Sequence, residues 1–290
     1  MRVTSNMIQS QIFNSLTANQ ARLFKTQEDI STTKAVRTSS DDPTRYDRAS
    51  RFRTLLIRNE QYINNIEDGL GWINTAGAAL DSMHQLMQQI NEEGLRARND
   101  VNASARAQTA SSIGSLLEQL ITLGNTDYSE KFVFGGTITQ GASPFSFDGA
   151  VVSFSGNSKD ISRKVGENSI MAINITGDKI ISAFDAAVNL RDALLSNDNP
   201  ALDAAIGAVA SGMDDLLTAA SIEGSGSRRL ELTKENLLVA NINLQSYISQ
   251  SEDVDLSEAI LRFNSQELGL RAALESSTRI QRISILDFIR

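Results

Sequence analysis

The chain holds one histidine, His84, and no cysteine among 290 residues. A catalytic or structural zinc site needs more imidazole or thiolate ligands than that. A Ser–His–Asp triad needs a His base beside a nucleophile signature, and none is present. Carboxylates fall in adjacent pairs at Asp41-Asp42 and Glu92-Glu93. Such pairs can share acid–base work, but helix capping and solvation account for them with fewer assumptions. Gly135-Gly136 lacks the Lys and the spacing of a phosphate loop and reads as a loop or bulge. His84 lies between Leu80 and Met87 on one helical seam, which makes it a packed seam residue. Met83, Met87 and Met213 have helical spacing and read as gap-filling core. No catalytic, cofactor-binding or metal-ligating set emerges, so the reading is of a non-enzyme without cofactors.

The elements that would hold such residues are themselves the stronger signal. Ile12, Leu16, Leu23 and Ile30 recur at steps of four and seven. Near the other end, Leu256, Ile260, Phe263, Leu270 and Leu274 recur at four, three, seven and four, and the tail carries Ile285, Leu286 and Phe288. A 3.5-residue repeat asks for a partner helix. These twelve residues are the candidate subunit-packing set. The first seam is poor, because Asn19 and Thr26 occupy apolar positions. Ordering some thirty backbones costs more than four buried aliphatic side chains return, so this helix is expected to form only against a partner.

Between the ends, Asp42-Pro43 is a helix start: the Asp side chain caps free N–H groups and Pro suits the first turn. Phe52, Leu56, Ile63, Ile66, Leu70, Ile73, Leu80 and Met87 mark a long helix to about Arg98, with Asn59, Gly77 and His84 also on the seam. Asn99-Asp100 reads as a turn. Ala110, Ile113, Leu117 and Leu120 give a second, antiparallel helix. The period then drops to two. Phe132 and Phe134 alternate. Phe145 and Phe147 lead into the hairpin signal Asp148-Gly149, followed by Val152 and Phe154, and Ile173 and Ile175 continue the pattern. Residues 131–177 therefore read as a β-rich insert with an aromatic core of its own, whose removal should be mild. Helical spacing returns at Ile181, Phe184, Val188 and Leu195. Asn199-Pro200 opens another helix, with Leu202, Ile206, Val209, Met213, Leu216 and Ala220, then Leu230, Leu237, Leu244 and Tyr247. Gly224-Ser225-Gly226-Ser227 is either a loop or a helical interruption. Asp255 and Glu258 have capping-box spacing ahead of the last helix.

The formal net charge is −8, and adjacent basic pairs such as Arg228-Arg229 are few, which argues against nucleic acid. No run of 18 apolar residues occurs, so membrane insertion is not expected. The opening Met1-Arg2-Val3-Thr4-Ser5-Asn6 lacks the apolar core of a secretory signal peptide, so export would take another route.

These residues carry a resemblance. Met1-Arg2-Val3-Thr4 through Met7, then Thr38-Ser39-Ser40-Asp41-Asp42-Pro43, resemble the opening of the flagellar hook-associated protein 3 family, the hook–filament junction proteins of the flagellin superfamily. Phe132-Val133-Phe134-Gly135-Gly136-Thr137, Ser143-Pro144-Phe145, Ile175-Thr176-Gly177-Asp178 and Ser284-Ile285-Leu286-Asp287-Phe288-Ile289 are similar to later parts of the same family, in the same order. Ile30-Ser31-Thr32-Thr33-Lys34-Ala35-Val36-Arg37 matches another run, with Thr33 where that pattern has Gly. The resemblance implies a mainly α, flagellin-like fold: a long antiparallel helical bundle or coiled coil from both termini, with a small inserted β-rich domain. It implies a terminal coiled-coil domain of residues 1–37 plus 254–290, formed on assembly, a helical bundle of 38–130 plus 178–253, and an outer insert of 131–177. It implies export through the flagellar type III channel, without a cleaved signal peptide, to the extracellular flagellum. The implied partners are hook-associated protein 1, flagellin, a ring of its own copies and a cytosolic export chaperone. Two alternatives stand beside this: a minor flagellin that forms the filament itself, and a cytosolic antiparallel coiled-coil signalling module.

Overall fold

A computed structural model describes residues 5–99 and 102–288, except for the side chains of residues 5, 6, 8, 9 and 280–288. The fold is mainly helical, with a small set of short antiparallel strands. The helices are α1 (Ser5–Thr32), α2 (Pro43–Arg98), α3 (Ala103–Gly124), α4 (Ile181–Ser196), α5 (Asn199–Glu252) and α6 (Leu256–Phe288). The chain forms two compact units: residues 1–57 with 241–290, and residues 58–240.

In the 58–240 unit, α2 presents Ile66, Gly69, Ile73, Ala76, Leu80, Met83, Met87, Ile90, Gly94 and Ala97 as a buried row with strict 3-4 spacing. The sequence pattern identified one half of this row, at 66, 73, 80 and 87. It assigned the other half one position too far on, at Leu70, Gly77 and His84, which are only half-buried. The true companions begin with Gly69 and Ala76, whose small side chains give no hydropathy signal. The fit at the row's glycines is tight: a Cβ on Gly69 would sit 3.1 Å from Ile173, and one on Gly94 would sit 2.9 Å from the end of the Leu190 side chain.

α3 buries Ala110, Ile113, Leu117 and Leu120 as its spacing predicts, and it packs on α4. Asn102 caps α3 by accepting from the Ser104 N–H at 3.0 Å. On α4 the buried row is Phe184, Ala187, Val188, Leu190 and Leu194; Leu195, expected on the seam, is 60 % exposed. α5 is one continuous helix through Gly224–Ser227, with Leu202, Val209, Leu216 and Leu230 in the core. It is the one described helix with the length and composition of a membrane span, at a mean hydropathy of 1.2 over 18 residues. Its three buried leucines and one buried valine pack in the core, while Leu217, Val239 and Ile242 on the same helix are exposed. Asn199 does not cap α5 with its side chain. Its Oδ1 accepts from the Arg106 guanidinium at 2.8 Å. Arg106 is buried and also donates to Asn197 and to the carbonyls of Ala97 and Arg98, so one cation closes the end of α2 and the α4–α5 turn.

The strands make three separate antiparallel hairpins: β1 (Asp127–Tyr128) with β2 (Lys131–Phe132), β3 (Phe145–Phe147) with β4 (Val152–Phe154), and β5 (Ser162–Lys164) with β6 (Ile170–Ala172). The Asp148-Gly149 turn forms as read. Gly149 has φ +98°, and Asp148 Oδ1 accepts from the N–H groups of Ala150 and Val151 at 2.8 Å each. Phe134, Ile173 and Ile175 are buried but lie outside strands.

The insert does not have an aromatic core of its own. The Phe145 ring stacks on Phe184 of α4 at 4.5 Å, and Phe154 packs on Phe145 at 5.2 Å. Asn125, the C-cap of α3, mimics a strand partner: its amide donates to the Phe145 carbonyl and accepts from the Phe145 N–H. A Cβ on Gly124 would be 2.8 Å from Phe145 and 2.9 Å from Phe184, so the helix end must be bare for the rings to stack. Val133, Phe134, Phe145, Val152, Ile173 and Ile175 are in one cluster with the buried residues of α2 to α5.

Candidate assembly surface

The candidate site lies in the 1–57 and 241–290 unit, where α1 packs on α6. The least exposed positions of α1 are Ile12, Leu16, Asn19, Leu23, Thr26 and Ile30, at steps of 4-3-4-3-4. Those of α6 are Ala259, Phe263, Gln266, Leu270, Ala273 and Ser277, with the same steps. These two rows form an antiparallel seam of the kind a 3.5-residue repeat produces. Polar positions on it are handled locally. The Thr26 hydroxyl, buried, donates to the Arg22 carbonyl at 3.1 Å, and Ser277 donates to the Leu274 carbonyl at 2.8 Å. Asn19 Oδ1 accepts from Arg22. Gln266 Oε1 is buried without a hydrogen-bond partner among the described residues.

Of the candidate packing residues, Ile12, Leu16, Leu23, Ile30, Phe263 and Leu270 lie half-buried on this seam. Leu256, Ile260 and Leu274 are exposed at 44, 48 and 48 %. At 100° per residue they share a stripe on the flank of the α1-facing row. The side chains of Ile285, Leu286 and Phe288 lie outside the described residues. Sequence spacing thus merged two stripes of α6 into one, because Ala259, Ala273 and Ser277 carry little hydropathy.

Larger apolar groups lie further round. Phe13 and Phe24, eleven residues apart and so on one side of α1, are 70 and 62 % exposed. Leu261 and Leu268, seven apart on α6 and turned away from its α1-facing row, are 70 and 66 % exposed. Large apolar side chains exposed in a group mark a surface meant to be covered.

The base of the two helices is polar and closed. Ala35 and Val36 donate their N–H groups to the Glu252 carbonyl at 2.7 and 3.2 Å, and Val254 donates to the Thr33 carbonyl at 3.0 Å. The Glu252 side chain is buried, and its Oε2 accepts from Lys34 at 2.9 Å and from Arg53. Arg45 donates to the Ser251 carbonyl at 2.8 Å. Arg37 bridges Asp29, Glu28 and the Lys34 carbonyl. Asp41 accepts from Lys25 and from the N–H groups of Arg37 and Thr38; these bonds, that from Lys25 first, hold its carboxyl well below the usual carboxylate range.

The Asp-Asp-Pro reading is therefore right for Asp42, whose Oδ1 caps α2 by accepting from Thr44 and Arg45 at 3.0 Å each. Asp41 has a separate role, bracing the loop. Asp255 caps α6 through the N–H groups of Ser257 and Glu258, but the Glu258 carboxylate pairs forward with Arg262, so only half of the expected capping box forms. Lys34, Arg53 and Glu252 gave no signal in the sequence; Lys34 and Glu252 are 218 residues apart. Among the described residues no group of three or more His, Asp or Glu gathers that could hold a metal ion.

A helical N-terminal region and a helical C-terminal region that meet in one antiparallel pair have a match among known families. The model of the bacterial flagellin N-terminal helical region matches residues 3–139, and that of the bacterial flagellin C-terminal helical region matches residues 206–289. The chain belongs to the flagellin family. It is 27 % identical to flagellar hook-associated protein 3 of Escherichia coli (strain K12), with 98 % of each chain covered. It is 25 % identical to the flagellin of Bacillus subtilis (strain 168), with all of both chains covered. Its fold is similar to that of the flagellar junction protein FlgL from Legionella pneumophila, with a TM-score of 0.56 at 12 % identity, over 72 % of this chain and all of the other. The flagellin family is one of structural flagellar proteins, and the α1–α6 pair is built from its two characteristic regions.

Proposed function

We propose that this chain is a structural subunit of the bacterial flagellum that joins the hook to the filament. The observation that carries the reading is the uncovered apolar surface of the α1–α6 pair, in a flagellin-family chain that matches a hook-associated protein 3 from end to end. In this reading copies of the chain form a ring, hook-associated protein 1 adjoins it on the hook side, and flagellin adjoins it on the filament side. Residues 1–37 with 254–290 act as the assembly-dependent terminal domain, 38–130 with 178–253 as the middle bundle, and 131–177 as the outer insert. The twelve packing residues named above then face α1, α6 or neighbouring copies. The chain reaches the flagellum unfolded through the type III channel, kept competent by a cytosolic chaperone.

Antibody labelling of isolated flagella tests this. Label confined to the hook–filament boundary is expected, together with loss of attached filaments when the gene is deleted. Label along the filament, with purified chain polymerising unaided into long filaments, would favour the minor-flagellin reading, to which the Bacillus subtilis match lends support.

A further inference from the structure

From an open groove between α2 and α5 we infer that each copy of this chain receives a lysine or arginine side chain of the next copy, seated on the buried carboxylate of Glu223. This deepens the ring reading and rests on it, because it names the contact through which one copy holds its neighbour. Both walls of the groove lie in the 58–240 unit, so the site is complete without the terminal pair.

Three observations support the contact. The first is space without an internal reason. The groove holds about 480 Å³, and Gly77 of α2 and Gly224 of α5 line it. A Cβ on either glycine would meet nothing within 4 Å, in contrast to Gly69 and Gly94. Alanine at these positions would make each helix more stable than glycine does. Packing within the chain gives no account of these two residues, while a side chain entering from outside needs the room. The second is a buried carboxylate with an unanswered oxygen. Glu223 lines the groove and is 4 % exposed, and its Oε1 has no hydrogen-bond partner among the described residues. The Ile175 backbone bonds to the carboxylate, and Lys179 acts on it by charge alone. A carboxylate so placed is costly until a donor reaches it, and a cationic donor makes the stronger bond. The third is charge. Asp81, Glu223 and Glu231 line the groove against one cation, Arg228. A long basic side chain can lay its methylenes along the floor and bring its charged end to the carboxylate. A second copy supplies such side chains: Lys131, Lys159 and Arg229 are exposed and make no ion pair among the described residues. A groove on one surface that takes a side chain from another surface is a heterologous contact, the kind that builds a ring where its rotation closes.

Purified full-length chain and flagellated cells test the contact together. Gly77→Leu and Gly224→Leu should fold with melting temperatures no lower than the wild type, because the space is open. Both should still reach the medium, and cells carrying them should show about tenfold fewer attached filaments, the scale of one lost charge-assisted bond per contact. Glu223→Gln should melt above the wild type at pH 8 and show the same loss of filaments. With p-benzoylphenylalanine in place of Ser227, which also lines the groove, illumination of intact flagella should cross-link the chain to a second copy of itself. Should a leucine variant melt early, Glu223→Gln and the cross-link decide. Wild-type numbers of attached filaments in Glu223→Gln, or in both leucine variants when folded, would overturn the contact. So would a cross-link to flagellin or to hook-associated protein 1, or no cross-link at all. The labelling result above is independent: copies spread along the filament could still cross-link to one another, and a junction subunit could leave the groove empty.

Discussion

The α2 row from Ile66 to Ala97 and the α1–α6 seam have the same 3-4 spacing and different fates. In α2 every position of the row is buried, several at 0 % exposure. In α1 the row is half-buried at every position but Thr26, and Phe13 and Phe24 stand outside it in solvent. The difference is in the neighbours. The α2 row is covered by elements from the rest of its unit, Ile173, Leu190 and Leu230 among them. The α1 row has α6. Spacing specifies which side of a helix seeks cover; how much cover it obtains depends on what else is folded nearby.

The strongest way to break this comparison is a charge in the covered row. Leu80→Asp should unfold the 58–240 unit, at a cost above about 4 kcal/mol, and its cooperative thermal transition should vanish. A folded variant with a normal melting curve would show that the row is not the core. Next comes the link between insert and helices. Phe184→Ala should cost about 3–5 kcal/mol in a urea titration, because the residue fills space between α4 and Phe145. Removing residues 131–177 should be at least as harmful, since it uncovers Phe184, Gly69 and Leu230 together; a deletion with unchanged stability would restore the insert as a self-contained module.

A pH-dependent effect of intermediate size is expected at Glu223. It is buried on α5, one carboxylate oxygen lacks a partner among the described residues, and burial pushes its pKa from 4.5 to about 7, against a smaller opposing effect of the Ile175 backbone. The folded chain keeps this proton up to about pH 7, while the unfolded chain releases it near 4.5. Stability from this group is therefore full below pH 4.5 and declines as pH rises through 7, by about 3 kcal/mol in all. Glu223→Gln should be more stable than the wild type at pH 8 and equal to it at pH 4, as read from urea midpoints. Equal midpoints at both values would remove the buried-charge account.

The smallest effect on folding should come from the half-covered seam. Leu16→Asp or Leu270→Asp should leave the melting of the 58–240 unit unchanged within about 0.5 kcal/mol and still block incorporation into flagella, scored by labelling. Normal incorporation would count against the packing role of the seam, and a lower melting temperature would show that the terminal pair supports the rest of the chain.

Much of this architecture was legible in the residues. Asp42-Pro43 located the start of α2, Asp148-Gly149 located a hairpin, and the order of motifs located the family, because capping, turn geometry and period are local properties. Where the reading slipped, small residues were the cause. Gly69 and Ala76 hid half of the α2 row, Ala259 and Ala273 hid half of the α6 row, and Gly124 concealed the place where the insert stacks on Phe184. A glycine is silent in a hydropathy pattern, yet it determines how closely two elements approach.

What the sequence by itself determined, then, is the element list, the periods of the seams and the flagellin resemblance. Only the tertiary structure decided which of two adjacent stripes on α6 meets α1, that the insert shares its core with α4, and that Lys34, Arg53 and Glu252 converge. The physical reason is range. Period and capping act over three or four residues, while burial and ion pairing depend on groups that the chain brings together across as many as 218 positions.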